Sequence, residues 1–177
     1  LQRLNSFNII HLATHGKFVV GRAETSFILL GNRQSDIVTL DEIKNLTMNN
    51  VDLVVLSACE TGVGGKLGNG EEILGLGYQF QRAGARAAIA SLWQIDDGGT
   101  QVLMNAFYAA FQKGMTKAQA LQEAQKALIT GNYSTVGGQR SDIKIIDIRT
   151  GQDRSIGSNT LHHPYYWAPF ILIGNGL

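Results

Sequence analysis

The sequence has little of what several classes of protein require. It contains one cysteine in 177 residues, so no disulfide can form within the chain. The net charge is +1, which provides no strong field to attract nucleic acid or an anionic membrane. No apolar run approaches the roughly 18 residues of a membrane span, and no segment resembles a secretory signal. We therefore expect a cytoplasmic protein that binds neither nucleic acid nor membranes directly.

Proline is scarce and glycine is abundant. The chain has two prolines and 21 glycines, and glycine at about 12% lies well above its usual share near 7%. This balance indicates tight turns and close backbone approaches, not a disordered linker. The chain begins at Leu1 without an initiator methionine, directly before an apolar segment. We expect it to be a piece of a longer polypeptide.

Short apolar segments predict a mostly parallel sheet. Near-continuous apolar strands separated by helices are typical of a sheet that is covered on both faces. The predicted strands are residues 7–12, 51–57, 85–92 and 169–173, with a weaker strand at 26–30 as half of a hairpin. Their alternation with helices predicts a single α/β domain over residues 1–177.

The helices have clearer boundaries than the strands. Thr39 with Glu42 and Thr116 with Gln119 are capping boxes, which mark where two helices begin. Further helices are predicted at residues 71–83 and 98–113 from their apolar stripes. Residues 131–158 break the pattern, and we interpret them as an inserted hairpin.

His15 and Cys59 each follow the end of a predicted strand. In open α/β sheets, catalytic groups lie at the carboxyl ends of the strands. If the two strands are neighbours, the thiol and the imidazole emerge at one edge, as a nucleophile and its base require. Taken singly, a lone cysteine is more often buried and inert. Gly16 and Gly62 beside the pair leave room for a backbone to approach, and this favours the catalytic interpretation.

The predicted chemistry is hydrolysis of a peptide bond. His15 takes the proton of Cys59, and the thiolate attacks a carbonyl. The backbone N–H groups of Gly16 and Cys59 are the expected oxyanion donors. His15 then protonates the leaving amine, and water hydrolyses the thioester. No third catalytic side chain is evident, and no cofactor is required.

Several sequence blocks spread over nearly the whole chain support this interpretation together. They are IHLATHG at 10–16, LSACETG at 56–62, GEE at 70–72, AGA at 83–85, SLWQIDD at 91–97 and HPYYWAPF at 163–170. In these blocks the chain closely resembles the CHAT domain family of caspase-like, clan CD cysteine peptidases. The resemblance implies a caspase-like three-layer sandwich with His15 and Cys59 at the catalytic positions. It also implies a fused or associated helical-repeat domain, such as tetratricopeptide repeats, that gates the protease or recruits substrate.

The chain departs from the family pattern in two places. Members of the family usually have further strands and helices before the histidine strand, and we expect residues 1–177 to be a fragment without them. Residues 131–158 match no motif of the family, so the predicted hairpin is interpreted as an insertion near the mouth of the active site.

Three residues are predicted to bind substrate. Asp96 follows a predicted strand, and a carboxylate at that edge would pair with a basic side chain in the first specificity pocket, as in relatives that cleave after Arg or Lys. In the alternative, Asp96 or Asp97 caps the helix that begins near Gly98. Trp93 is expected either to wall this pocket or to pack in the core, and Ser57 completes the set.

Other polar residues fit structural roles. His11 lies within a strand, where we expect it to pack or to form a local hydrogen bond. His162 and His163 are adjacent, which is poor spacing for a shared tetrahedral metal site, so no zinc is predicted.

Two rival functions remain open. The glycine-rich segment 62–70 follows a strand and precedes a helix, as phosphate-binding loops do. However, the order Gly-x-x-x-x-Gly-Lys-Ser/Thr is absent, and Glu71 and Glu72 would repel an anion, so a mobile active-site flap is the preferred interpretation. The second rival is a catalytically idle interaction domain that keeps only the fold.

Overall fold

The computed structural model describes most of the chain. The described residues are 3–14, 16–19, 25–31, 36–57, 60–61, 71–93, 95, 97–132, 145–146, 153–154 and 161–177. Contacts divide the chain into two compact units, which are described in turn. The first comprises Leu1–Gln94 with Phe170–Asn175, and the second comprises Ile95–Pro169 with Gly176–Leu177.

The helices and strands alternate along the chain as expected for an α/β protein. After a short 3-10 helix at Leu4–Ser6, the elements in order are β1 (Ile9–Leu12), β2 (Gly16–Phe18), β3 (Phe27–Leu29), β4 (Ile37–Thr39), α1 (Leu40–Ile43), β5 (Leu53–Leu56), β6 (Glu60–Thr61), α2 (Glu71–Arg82), β7 (Ala87–Ser91), α3 (Asp97–Gln112), α4 (Lys117–Thr130), β8 (Ile145–Ile146), β9 (Asp153–Arg154), α5 (Pro164–Trp167) and β10 (Phe170–Gly174).

The main sheet has the order β1-β5-β7-β10. The first three strands are parallel, and β10 runs antiparallel to β7. Every residue of β5 and β7 is buried, which explains why these segments are apolar on both faces and not alternating. β1 pairs with β5 from Ile9↔Leu53 to Leu12↔Leu56. The two strands that precede His15 and Cys59 are therefore neighbours, as the sequence analysis required.

A second sheet in the first unit has the order β4-β3-β2-β6. β2 and β3 form the hairpin that was expected after the first histidine, and β4 extends it antiparallel. Ser26 is buried, and its hydroxyl accepts from the Val19 N–H at 2.8 Å, which closes the hairpin. β6 joins the other side of β2 in parallel orientation.

Two helices of the first unit cover its strands. α1 begins at the predicted capping box: the Thr39 hydroxyl accepts from the Glu42 N–H, and a Glu42 carboxylate oxygen accepts from the Thr39 N–H at 2.8 Å. α2 packs on α1 and on strands β7 and β10. It approaches β10 closely at Gly77, where a side chain would meet Ile173.

The second unit is built around the packed pair α3 and α4. Phe107 is fully buried in α3, and its ring stacks on Phe111 at a centroid distance of 5.8 Å. α4 begins at the second predicted capping box, formed by Thr116 and Gln119, and ends at Gly131 with φ of 66°. Glycine suits this left-handed position because it has no Cβ to clash.

The C-terminal part of the second unit contacts both long helices. α5 packs on α3 and α4. Trp167 Nε1 donates to the His162 carbonyl at 3.1 Å, and Lys117, which is buried at the start of α4, donates to the Leu177 carbonyl oxygen. β8 and β9 pair antiparallel within the segment where a hairpin was predicted. Its role as an insertion stays a prediction.

The predicted fold class is confirmed. The chain has mixed α/β content with a mostly parallel central sheet flanked by helices, which is consistent with a caspase-like fold. No helix among the described residues is long and apolar enough to cross a membrane.

Candidate active site

The candidate site lies at the carboxyl edge of the main sheet. Because β1, β5 and β7 are parallel, their carboxyl ends meet at one edge. The described residues that follow these ends are Ala13 and Thr14 after β1, Ser57 after β5, and Leu92 and Trp93 after β7. Two of the predicted substrate-binding residues, Ser57 and Trp93, therefore follow strands of one parallel set.

Ser57 is tied to β1 by two hydrogen bonds. Its backbone N–H donates to the Leu12 carbonyl at 3.2 Å, and its hydroxyl lies 3.1 Å from Nε2 of His11. His11 was expected to pack or to form a local hydrogen bond, but the bond that it forms is to a side chain 46 residues away, just after the neighbouring strand. Although part of the imidazole stays exposed, burial of the rest lowers the pKa of His11 below the ordinary 6.5.

The chain pairs again just beyond the predicted catalytic residues. β2 begins directly after position 15 and β6 directly after position 59. These two strands form a parallel pair with the register Lys17↔Glu60 and Phe18↔Thr61. The two segments therefore leave one pair of neighbouring strands and enter another.

Gly16 and Thr14 flank the first of these segments. Gly16 is buried as the first residue of β2 and pairs with Ile28 of β3. The Thr14 hydroxyl donates to the Leu29 carbonyl of the same strand. The residues on both sides of position 15 are thereby attached to β3. His15, Cys59, Asp96 and the glycine-rich segment 62–70 lie outside the described residues.

Two side chains define the end of β7. Ser91 is buried, and its hydroxyl donates to the Trp93 carbonyl at 2.6 Å. This bond fixes the turn of the chain after the strand. The Trp93 side chain is half-buried, so the geometry is compatible with both interpretations of this residue, as a pocket wall and as part of the core. α3 begins at Asp97, one residue earlier than predicted.

A separate apolar cavity of about 20 Å³ lies on the face of β1 that carries Ile10 and Leu12. Its lining includes Ile10, Leu12, Ile28, Val38 and Phe80, and no polar residue contributes. A cavity of this size holds about one water molecule, and its apolar walls provide no hydrogen-bond partner for a peptide group. No group of three or more His, Cys, Asp or Glu within the described ranges could hold a metal ion.

The sequence analysis missed two features of this region. The pairing of β2 with β6 was not predicted, because strands of two or three residues are too short to show periodicity. The hydrogen bond between His11 and Ser57 was also missed. Their 46-residue separation carries no local signal, but once β1 and β5 are accepted as neighbours, two polar residues near the same edge are a pair worth testing.

Comparison with known proteins agrees with this architecture. The family model for the CHAT domain matches residues 1–175. Tetratricopeptide repeat protein 28 of Homo sapiens is 25% identical over 142 residues, which cover 80% of this chain. The chain matches only 4% of that relative's length. From the extent of the family match and the topology of the sheet, the chain belongs to the CHAT domain family, which is caspase-like and of clan CD.

Proposed function

We propose that this domain is a cysteine endopeptidase in which Cys59 is the nucleophile and His15 is the general base and acid. Its substrates are proteins or peptides, which are hydrolysed through a thioester on Cys59. This proposal goes beyond family membership, because a caspase-like fold does not by itself require activity.

The strongest support for the proposal is that strands pair with each other both before and after positions 15 and 59. Before them, Leu12 pairs with Leu56, and after them Lys17 pairs with Glu60. His15 and Cys59 are each the third residue after the last pair of β1 and β5. Their 44-residue separation is also the offset of every pair in that register. A nucleophile and base need this proximity before any tuning of their pKa values matters.

The remaining roles follow from the geometry of thioester chemistry. Backbone N–H groups of Gly16 and Cys59 would stabilise the oxyanion, since glycine permits close approach of the backbone. Ser57 and Trp93, which follow neighbouring parallel strands, are proposed to contact substrate. Asp96 is proposed to bind a basic side chain in the first specificity pocket.

The proposed partner is a helical-repeat domain. The human relative is by its name a tetratricopeptide repeat protein. We therefore propose that a fused or associated repeat domain gates the site in this protein. We place the protein in the cytoplasm, where a single reactive thiol stays reduced.

Two other functions predict different behaviour. A catalytically idle scaffold would keep the fold without a reactive Cys59. A phosphate-binding module would use residues 62–70 and would bind a nucleotide. The intact set of His15, Gly16 and Cys59 favours the peptidase over an idle scaffold, which has no need of all three. The missing Gly-x-x-x-x-Gly-Lys-Ser/Thr order favours it over a phosphate-binding module.

The test is covalent labelling of the intact protein in the presence of its activating partner. Peptidyl electrophiles with Arg or Asp at the terminal position are added, and adducts are located by mass spectrometry. We expect an adduct at Cys59 that forms faster with the Arg reagent. His15→Ala should slow labelling by roughly 100-fold or more, because general-base catalysis contributes about 10²–10⁴.

His163→Ala is the matched control. This exposed histidine caps α5 in the second unit, so its loss should leave the labelling rate unchanged. Labelling of His15→Ala at the wild-type rate would refute the proposed pair. Absence of any adduct together with a nucleotide-dependent rise in Tm would favour the phosphate-binding module.

A further inference from the structure

The hydrogen bond between His11 and Ser57 has no role in the chemistry proposed above. Nevertheless, it joins the two strands from which the catalytic segments depart. His11 lies four residues before His15, and Ser57 lies two residues before Cys59. A contact at this place acts on both segments at once.

The geometry directs His11 toward the carboxyl edge of the sheet. His11 is opposite Val55 in the register of β1 and β5. Its Nε2 nevertheless reaches the hydroxyl of Ser57, two residues further along, at 3.1 Å. Side chains in strands lean along the strand direction, so the imidazole links β1 to the first residue after β5. The Ser57 N–H, bonded to Leu12 at 3.2 Å, makes a second attachment to β1.

We propose that His11 is a positioning residue that acts through Ser57 to fix the separation of the His15 and Cys59 segments. This inference rests on the proposed peptidase function. Reacting groups must be held close to a productive distance, and a misplacement of about 1 Å can cost 100-fold in rate. Without the side-chain bond, Ser57 would keep only its backbone attachment to Leu12.

The chemistry of the two groups suits this role. Burial lowers the pKa of His11, so at neutral pH the ring is uncharged and can bond a hydroxyl without a counter-ion. A serine hydroxyl has one donor and two acceptor sites. The bond to His11 therefore leaves Ser57 with an acceptor site for a substrate N–H, and the two proposed roles of Ser57 are compatible.

The test compares His11→Leu, His11→Gln, Ser57→Ala and the double variant His11→Leu/Ser57→Ala in the intact, activated protein. Cys59 labelling rates are measured with two reagents: small chloroacetamide, which uses no substrate subsites, and the peptidyl electrophile with Arg. We expect His11→Leu to label about tenfold more slowly with both reagents, the effect of losing one hydrogen bond. His11→Gln, which keeps a polar group of similar reach, should recover most of the rate.

The double variant tests whether the two side chains act as a unit. If they do, it labels with chloroacetamide no more slowly than the slower single variant. Multiplied effects would show two independent roles and would overturn the inference. A loss confined to the peptidyl reagent would also overturn it, because it would identify a substrate contact.

Asn5→Ala is the matched structural control. The Asn5 side chain accepts from the Asn50 N–H at 2.9 Å, just before β1 and β5 begin. Its loss loosens the chain around the same strand pair at the amino edge. All variants are labelled below their unfolding temperatures, as checked by circular dichroism, and Asn5→Ala should label at the wild-type rate.

The outcomes separate this inference from the proposed function. If wild type is labelled and His11→Leu matches both wild type and Asn5→Ala, the positioning role is wrong while the peptidase stands. If activated wild type is not labelled at all, the peptidase proposal fails and the positioning role fails with it.

Discussion

Gly77 offers a stringent test of how α2 packs on the main sheet. A Cβ at this position would lie 2.4 Å from Cδ1 of Ile173 and 3.2 Å from its Cγ2. Contacts this short require Ile173 to move, and overpacking of a filled site costs about 1–3 kcal/mol. Alanine in a helix interior otherwise gains about 1 kcal/mol over glycine. We therefore expect Gly77→Ala to lower the free energy of unfolding by about 1 kcal/mol despite its better helix propensity.

The partner variant Ile173→Val removes the atom that makes the worst contact. Alone it should cost about 0.5–1 kcal/mol, the usual loss for this change at a half-buried site. In the double variant the Cδ1 clash is absent, so the two changes should couple favourably by about 1 kcal/mol. Tyr78→Ala, a change at the exposed neighbour on α2, should alter stability by less than about 0.5 kcal/mol.

Urea unfolding followed by circular dichroism measures the stability of wild type and of the four variants. The comparison is valid if the dependence of unfolding free energy on urea concentration is unchanged, since a changed slope signals a different unfolded state. A Gly77→Ala variant that is more stable than wild type would refute the packing argument. So would strict additivity in the double variant.

Three further predictions concern backbone, cap and burial. Gly174→Ala should cost more than about 2 kcal/mol, because φ is +96° and the Cβ would meet the Arg86 carbonyl oxygen at 2.6 Å. Gly114 has φ of +85°, and a Cβ there would meet nothing within 4 Å. Gly114→Ala should therefore cost only the backbone strain, about 1–2 kcal/mol, in the same urea assay. Equal losses of unfolding free energy in the two variants would contradict the proposed clash at Gly174. Hydrogen bonds from the backbone and then the hydroxyl of Thr39 lower the pKa of Glu42 below 4.5. The stability that these bonds provide is present above the pKa of Glu42 in the unfolded chain and is lost as pH falls through its pKa in the folded protein. In Thr39→Ala the backbone bond remains, so NMR titration should show the Glu42 pKa rising without reaching 4.5. An unchanged Glu42 pKa would refute the role of the Thr39 hydroxyl. Burial raises the pKa of Tyr108 to about 12, so stability is lost as pH rises from about 10 through that value, and a step in tyrosinate absorbance near that pH should vanish in Tyr108→Phe.

Elements with local signals were predictable from the sequence. Both capping boxes, at Thr39 and Thr116, lie where the sequence analysis put them, because the donors and acceptors of a cap are three residues apart in the chain. The four apolar strands of the main sheet were also predicted, with ends shifted by one or two residues. Burial on both faces leaves a compositional signature that does not depend on knowing the partner strand.

Short elements without such signals were not predictable. β4 and β6 have three residues and two residues, and each exists as a strand only because a neighbour satisfies its backbone. α5 was also missed, since one turn of helix begun by Pro164 and capped by His163 has no periodicity to detect. The addition of β4 and β6 to the hairpin of β2 and β3 therefore depends on tertiary contact.

The candidate site divides along the same line. The residue types His15 and Cys59, their positions after apolar strands and the glycines beside them were present in the sequence, and the family resemblance rested on these motifs. The sequence analysis assumed as a condition that β1 and β5 are adjacent, and the parallel register from Ile9↔Leu53 to Leu12↔Leu56 shows that they are. The bond between His11 and Ser57 was beyond sequence reasoning, because its geometry depends on how two strands align.

The sequence by itself determined which segments are buried, where the capped helices begin and which side chains can perform nucleophilic chemistry, since these depend on composition and on hydrogen bonds between near neighbours. Tertiary structure alone decided strand order, register and the contacts that cross from β1 to β5 and from β2 to β6. The physical reason is that a pairing between residues more than 40 positions apart is selected by the competition of all strands for partners and burial. No local pattern records the outcome of that competition.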